Sequence, residues 1–150
     1  MSSVRELYQE IILDHNRNPR NFRRMDDCSK QIEGYNPLCG DHYTIYLKIA
    51  GGVIADVSFE GNGCAISKAS ASVMSTVLKG KTVREADELF DKFHRLVTGS
   101  AVTDADVEAL GKLAAFSGVS GFPARVKCAS LAWHTMHAAL STDATKVTTE

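Results

Sequence analysis

Two cysteines and one aspartate stand at predicted turns, a third cysteine stands near the start of the last predicted helix, and these residue types can bind a soft metal ion. Cys39 and Asp41 flank Gly40, Cys64 follows a glycine-rich stretch, and Cys128 lies in the last quarter of the chain. Thiolates suit zinc or iron–sulfur chemistry, whereas calcium and magnesium prefer oxygen ligands. Three thiolates and one carboxylate can complete a tetrahedral zinc site. Their types therefore make these residues a candidate metal centre.

A β-hairpin is predicted to bring the first two cysteines together. Apolar and polar residues alternate over 43–49 and over 53–59, on either side of Ala50-Gly51-Gly52. This pattern indicates two antiparallel strands with one buried face. Because a hairpin returns the chain to where it started, we expect Cys39 and Cys64 to be close. Cys128 joins them if the last helix begins below the hairpin ends.

Helical spacing of apolar residues predicts five helices around this hairpin. One covers 3–14, and a second begins after residue 64 and ends near Gly80. A third follows the capping-box residues Thr82 and Glu85. A fourth begins at Thr103, and the last begins at Pro123, because proline is favoured in a first helical turn.

Strands precede helices, which predicts an α+β fold instead of alternating α/β units. We expect a small antiparallel sheet of about three strands packed against helices, with Ile32–Tyr35 as the third strand. Residues 1–140 are assigned to a single domain. The polar, threonine-rich residues 141–150 are predicted to be a disordered tail.

Composition excludes several functional classes. The 150 residues carry 17 basic and 18 acidic side chains, a formal net charge of −1, so a basic nucleic-acid surface is not expected. No apolar run approaches the roughly 18 residues of a membrane helix. We expect a cytoplasmic protein without a membrane partner, in which thiols stay reduced. Four cysteines then favour metal binding or thiol chemistry over disulfides.

Spacing alone also allows the cysteines to be ordinary core residues without a chemical role. Cysteine is often simply buried in a core, and the chain has no Cys-x-x-Cys pair. The glycines beside Cys39 and Cys64 favour turns over core packing. Cys28 lies in a polar stretch and is interpreted as an incidental surface thiol.

Three separated motifs resemble the iron–sulfur cluster assembly family of the IscU/NifU N-terminal type, and its SufU-like branch in particular. The resemblance covers about residues 4–140 and implies a SufE/IscU-like fold. Lys127 occupies the position where scaffold members carry a histidine, and the stretch between Cys64 and Cys128 is longer than in scaffolds. Both departures are typical of the SufU-like branch. The motifs are Tyr35-Asn36-Pro37-Leu38-Cys39-Gly40-Asp41, Gly61-Asn62-Gly63-Cys64-Ala65-Ile66-Ser67 and Phe122-Pro123-Ala124-Arg125-Val126-Lys127-Cys128.

The resemblance implies a zinc-dependent sulfurtransferase with a defined set of residues. Zinc would be bound by Cys39, Asp41, Cys64 and Cys128. Cys39 would accept persulfide sulfur from a pyridoxal-phosphate cysteine desulfurase of the SufS type, and downstream cluster assembly proteins would receive it. Arg125, close to Cys128 in sequence, is a candidate for steering or holding the thiolate.

Two other functions remain open at this point. One is a scaffold on which a [2Fe–2S] cluster is built by Cys39, Cys64 and Cys128. The other is a module with a purely structural zinc ion. A chain of this length can bury a sufficient core without a metal, which argues against the structural role.

Overall fold

Three antiparallel strands form the central sheet, and a short fourth strand extends one edge. In a computed structural model, which describes residues 3–142 and 146–148, the spatial order is β3-β2-β1-β4. The predicted hairpin and the predicted third strand are both confirmed, and each strand is longer than predicted. The strands are β1 (Lys30–Asn36), β2 (Asp41–Ala50), β3 (Val53–Asn62) and β4 (Lys146–Thr148).

The fourth strand corrects the prediction of a disordered tail over 141–150. Residues 146–148 pair in parallel with Glu33–Tyr35 of β1. The edge of β1 presents unpaired backbone groups, and a short segment of any composition can pair with them. The polar composition of residues 141–150 therefore did not indicate a strand. The tail predicted at 143–145 and 149–150 lies outside the described residues.

Five α-helices and one 3₁₀ helix are present in the described ranges. The predicted capping box is confirmed, because Thr82 and Glu85 each accept from the other's backbone amide. The helix that begins after Thr103 ends at Leu110, because Gly111 adopts φ +55° and the chain continues as a 3₁₀ helix. The helices are α1 (Ser3–Arg17), α2 (Ala65–Leu78), α3 (Val83–Thr98), α4 (Asp104–Leu110), the 3₁₀ helix (Gly111–Val119) and α5 (Pro123–Ser141).

Helices α2 and α5 supply much of the apolar core around the sheet. Trp133 of α5 is fully buried and stacks on Phe93 of α3, with ring centroids 4.9 Å apart. The Ser70 hydroxyl of α2 donates to the Ala129 carbonyl of α5 at 2.6 Å. This buried bond couples the two helices one residue beyond Cys128. In the ranges described, no helix is both long and apolar enough to cross a bilayer.

Candidate metal centre

Cys39, Asp41 and Cys128 meet at one end of the sheet. Asp41 opens β2 directly opposite Asn36, the last residue of β1, so Cys39 lies in the turn between them. Cys128 reaches the same place from the second turn of α5. The Sγ atoms of Cys39 and Cys128 are 3.3 Å apart. One ligand atom from each of the three residues lies within 4.8 Å of the others.

Cys64 lies beside this group but is not a member of it. As predicted, it stands at the start of a helix: it is the N-cap of α2, and its Sγ accepts from the Ser67 amide at 3.4 Å. This cap holds the Cys64 thiol toward the start of its own helix. Cys39, Cys64, Cys128, Ile66 and Arg125 nevertheless line one cavity of about 280 Å³, the thiol cleft.

The thiols differ in their access to solvent. Cys39 is exposed, Cys64 is half-buried, and Cys128 is 3% exposed. Burial raises the pKa of the Cys128 thiol, and hydrogen bonds to Cys39, Asp41 and Cys64 raise it further. A coordinated metal ion is the usual means by which such a thiol loses its proton. Cys39 is therefore the thiol that an incoming molecule reaches first.

Asp41 is fully buried and is held by three hydrogen-bond donors. Its Oδ1 accepts from the Cys64 amide at 2.8 Å and from the Ser67 hydroxyl at 3.1 Å. Its Oδ2 accepts from Asn36 Nδ2 at 3.1 Å. A carboxylate offers about four lone-pair sites, so these three donors leave one site for the Cys128 thiol or for a metal ion.

A second layer of side chains fixes Ser67 below Asp41. The Tyr43 hydroxyl lies 2.9 Å from the Ser67 hydroxyl. Burial raises the pKa of Tyr43, and the charge of Asp41 adds to that shift, so the phenol stays protonated and can donate. Gly63 leaves space for this network: a Cβ there would lie 2.5 Å from the Ser67 and Tyr43 oxygens.

This donor set fits a divalent metal of the zinc type. Among the described residues, no basic side chain forms an ion pair with the buried Asp41, and buried charges are normally paired or metal-bound. Two thiolates on a tetrahedral zinc stand about 3.8 Å apart, close to the sulfur separation seen here. Asn36 Oδ1, also buried, has no hydrogen-bond partner among these residues.

The other predicted residues lie in distinct places. Arg125 lines the thiol cleft, and its guanidinium lies 4.5 Å from the centroid of the Phe122 ring. Lys127 lines a different cavity, together with His94 and His134. Cys28 lies away from the centre, since its neighbour Ser29 bonds to Leu47 far along β2.

Sequence reasoning missed the residues that hold Asp41. Ser67 and Asn36 appear in the motifs but carried no predicted role, and Tyr43 was only an apolar position in a strand. The alternation of β2 places Tyr43 on the same face as Asp41, and this was the one available signal. Ser67 lies on a helix, and its contact with Asp41 is tertiary.

Several curated proteins are similar to this chain in sequence, and solved structures are similar to it in fold. A zinc-dependent sulfurtransferase SufU from Bacillus subtilis (strain 168) is 42% identical over 127 residues, covering 85% of this chain and 84% of that protein. An iron–sulfur cluster assembly scaffold protein IscU from Thermotoga maritima is 41% identical over 135 residues, covering 89% and 92%. A solved SUF-system scaffold candidate from Fervidobacterium islandicum AW-1 superposes with a TM-score of 0.83 at 36% identity, covering 93% and 100%.

The fold and the site together define a small α+β domain with a thiol-and-carboxylate centre at one end of its sheet. Residues 7–129 match the family model of the NifU-like N-terminal domain. The chain belongs to this family, which confirms the expected relationship. A NifU-like protein from Brucella abortus, with a TM-score of 0.80 at 23% identity, shares the fold.

Proposed function

We propose that this protein is a zinc-dependent sulfurtransferase of iron–sulfur cluster assembly, acting with a cysteine desulfurase. The observation that carries the proposal is the pairing of an exposed thiol, Cys39, with two buried ligands. Cys128 and Asp41 both lie within metal-ligand range of Cys39. A relative 42% identical to the chain bears this function in its name.

Cys39 accepts the sulfur in this proposal. Its thiolate attacks the outer sulfur of the donor's persulfide, a Cys39 S–S bond forms, and the donor's S–S bond breaks. The electron pair of the broken bond leaves on the donor's cysteine as a thiolate, so no external oxidant or reductant is needed. Exposure of Cys39 at the cleft makes this attack sterically accessible.

Zinc would be held by Cys39, Asp41, Cys128 and the adjacent Cys64, and it would keep the thiols deprotonated and protected from oxidation. Asp41 is the one oxygen donor in this set. Its hydrogen bonds from Cys64 and Ser67 keep it oriented whether or not Cys39 is bound. Asn36 Nδ2 lies 3.8 Å from the Cys128 sulfur, and its hydrogen bond keeps that thiol oriented.

A second candidate is a scaffold that builds a [2Fe–2S] cluster as its cargo on Cys39, Cys64 and Cys128. The scaffold relative from Thermotoga maritima supports this reading. Lys127 argues against it, because this residue replaces the expected histidine and lines a cavity other than the thiol cleft. The centre then lacks one cluster ligand.

The test combines metal analysis with a desulfurase assay. The purified protein should contain about one zinc per chain and should stimulate cysteine-dependent sulfide release by a SufS-type desulfurase. Cys39→Ala should abolish the stimulation, because the accepting sulfur is gone. The matched control, Cys28→Ala, removes a half-buried thiol away from the centre and should keep full stimulation. Equal activity of both variants would contradict the proposed acceptor, and stoichiometric iron with a visible chromophore would favour the scaffold.

A further inference from the structure

A second cavity opens beside the thiol cleft. It has a volume of about 480 Å³ and lies between α1, the 3₁₀ helix and the first turns of α2 and α5. Ile66 and Arg125 line this cavity and the thiol cleft alike. We call it the α1 cavity. Its volume is within the range of about 300–1,000 Å³ that small-molecule sites occupy.

The walls of the α1 cavity combine apolar surface with positive charge. Ile12, Ile66 and Val119 contribute apolar surface, and Arg5 and Arg125 contribute guanidinium groups. None of the described residues that line it is acidic. A guanidinium is planar and matches a carboxylate with two parallel hydrogen bonds.

Arg125 stands at the boundary between the two spaces. The ring of Phe122 lies 4.5 Å from its guanidinium carbon, a cation–π contact that limits where the side chain can move. A ligand carboxylate bound to Arg125 from the α1 cavity would therefore stay next to the thiol cleft. The rest of such a ligand could extend toward Cys39 across Ile66.

We infer that the α1 cavity binds a small anionic thiol that takes the sulfur from Cys39. This inference rests on the proposed function, since it needs a persulfide on Cys39. The acceptor thiolate attacks the outer sulfur of the Cys39 persulfide and forms a new S–S bond. The bond between Cys39 Sγ and that sulfur breaks, and its electron pair returns to Cys39 as a thiolate. The exchange balances without any other reactant.

A small molecule suits this space better than a protein surface does. The α1 cavity is concave, has the volume of a small-molecule site and has apolar walls with few polar groups, as small-molecule sites do. Its two guanidiniums favour a ligand with at least one carboxylate apart from its thiol.

The experiment begins with the full chain loaded with sulfur by a cysteine desulfurase. Mass spectrometry of the Cys39 peptide must first show the gain of one sulfur atom, and its absence would contradict the proposed function itself. Loaded protein is then separated from the desulfurase and mixed with 3-mercaptopropionate or with 2-mercaptoethanol. The measured quantity is the ratio of the two rate constants for loss of the persulfide.

Charge variants decide the outcome. Arg5→Gln and Arg125→Gln should each lower the ratio by about threefold to fivefold, as expected for one partly exposed charge contact. Arg5 lies outside the thiol cleft, so its variant tests the α1 cavity without disturbing the metal centre. Because every protein is tested with the same two thiols, the difference in their intrinsic reactivity is the same in each ratio. A change in the ratio therefore reports a change in the protein.

Arg84→Gln is the matched control, because it makes the same change in net charge at the opposite end of the sheet. Arg84 follows Val83, whose amide bonds to Gly52 in the hairpin turn. Its ratio should equal that of the unaltered protein. An unchanged ratio in both Arg5→Gln and Arg125→Gln would overturn the inference. Slower loading of Arg5→Gln by the desulfurase, with an unchanged ratio, would overturn it too and assign the cavity to the protein donor.

Discussion

Two aspartates on the central hairpin are held in opposite ways. Asp56, on the half of β3 nearer the hairpin turn, is partly exposed and pairs with Arg23 at 2.6 Å and Lys79 at 3.6 Å. Asp41, at the other end, is fully buried and bonds only to neutral donors in the described part of the chain. The hairpin therefore carries one carboxylate neutralised by the protein and one that is not.

The difference explains which end of the sheet can do chemistry. A buried carboxylate without a protein cation is costly, and it is stabilised when a metal ion supplies the positive charge. Cys39 and Cys128 flank Asp41 with soft donors, whereas Asp56 has two cations and no thiol ligand beside it. Residue type alone does not distinguish the two aspartates, but burial and partners do.

Removing each carboxylate should therefore have very different consequences. Asp41→Ala should lower bound zinc from about one per chain to almost none, and it removes the carboxylate that accepts from the Cys64 amide, the Ser67 hydroxyl and the Asn36 side chain. The free energy of unfolding should fall by at least about 3 kcal/mol. Asp56→Ala should keep its zinc and lose about 1 kcal/mol or less. Metal analysis and denaturant unfolding measure both, and full zinc in Asp41→Ala would refute the metal centre.

A pair of glycine substitutions tests the packing around Asp41 without replacing a proposed metal ligand. In Gly63→Ala, the new Cβ meets the oxygens of Ser67, Tyr43 and Asp41 at 2.5–2.6 Å, so the network must shift. We expect a loss of about 1–3 kcal/mol in the free energy of unfolding, with weaker zinc binding. Gly118→Ala is the control, because nothing lies within 4 Å of its added Cβ. Equal stability of the two variants would contradict the packing.

Local patterns predicted the elements well, because each leaves its own signal in the sequence. Alternation predicted the hairpin, and the capping residues Thr82 and Glu85 predicted the start of α3. Hairpin geometry also predicted that Cys39 would lie near the site where α2 begins. Strand β3 returns beside β2 with His42 opposite Asn62, which places the start of α2 near Cys39.

Tertiary contacts were the part that sequence patterns could not supply. Ser67 reads as an ordinary polar residue of a helix, yet its hydroxyl lies against Asp41 from another element. The three-residue strand β4 is too short for alternation to be visible. Whether a residue belongs to the metal-ligand group also depends on the direction of its side chain. The side-chain direction of Cys64 leaves it outside the group formed by Cys39, Asp41 and Cys128.

A comparison of two buried serines measures how much the hydrogen bonds at the metal centre contribute to the free energy of unfolding. Ser67→Ala removes a donor to Asp41 and the partner of Tyr43, so we expect a loss of about 1–2 kcal/mol in unfolding free energy. Ser130 is equally buried, but its hydroxyl has no partner in the described residues. Ser130→Ala should change stability by about 0.5 kcal/mol or less. Similar losses in denaturant unfolding would mean that the bonds at Asp41 contribute little.

The smallest effect is expected at the carboxylate that the protein neutralises itself. Burial opposes the charge of Asp56, but the hydrogen bonds from Arg23 and the Val57 amide and the positive charges of Arg23 and Lys79 together outweigh it and keep the pKa of Asp56 below its usual value. A carboxyl with a lowered pKa stabilises the fold above its unfolded pKa, and this contribution disappears as the pH falls through the folded value. Arg23→Gln should therefore cost about 1 kcal/mol or less at neutral pH, because Arg23 is 45% exposed. The difference should shrink as the pH falls from about 4, the usual pKa of an aspartate, through the lowered pKa of folded Asp56. Urea unfolding across this range measures it, and a cost that persisted in acid would show that Arg23 acts through packing and not through its charge.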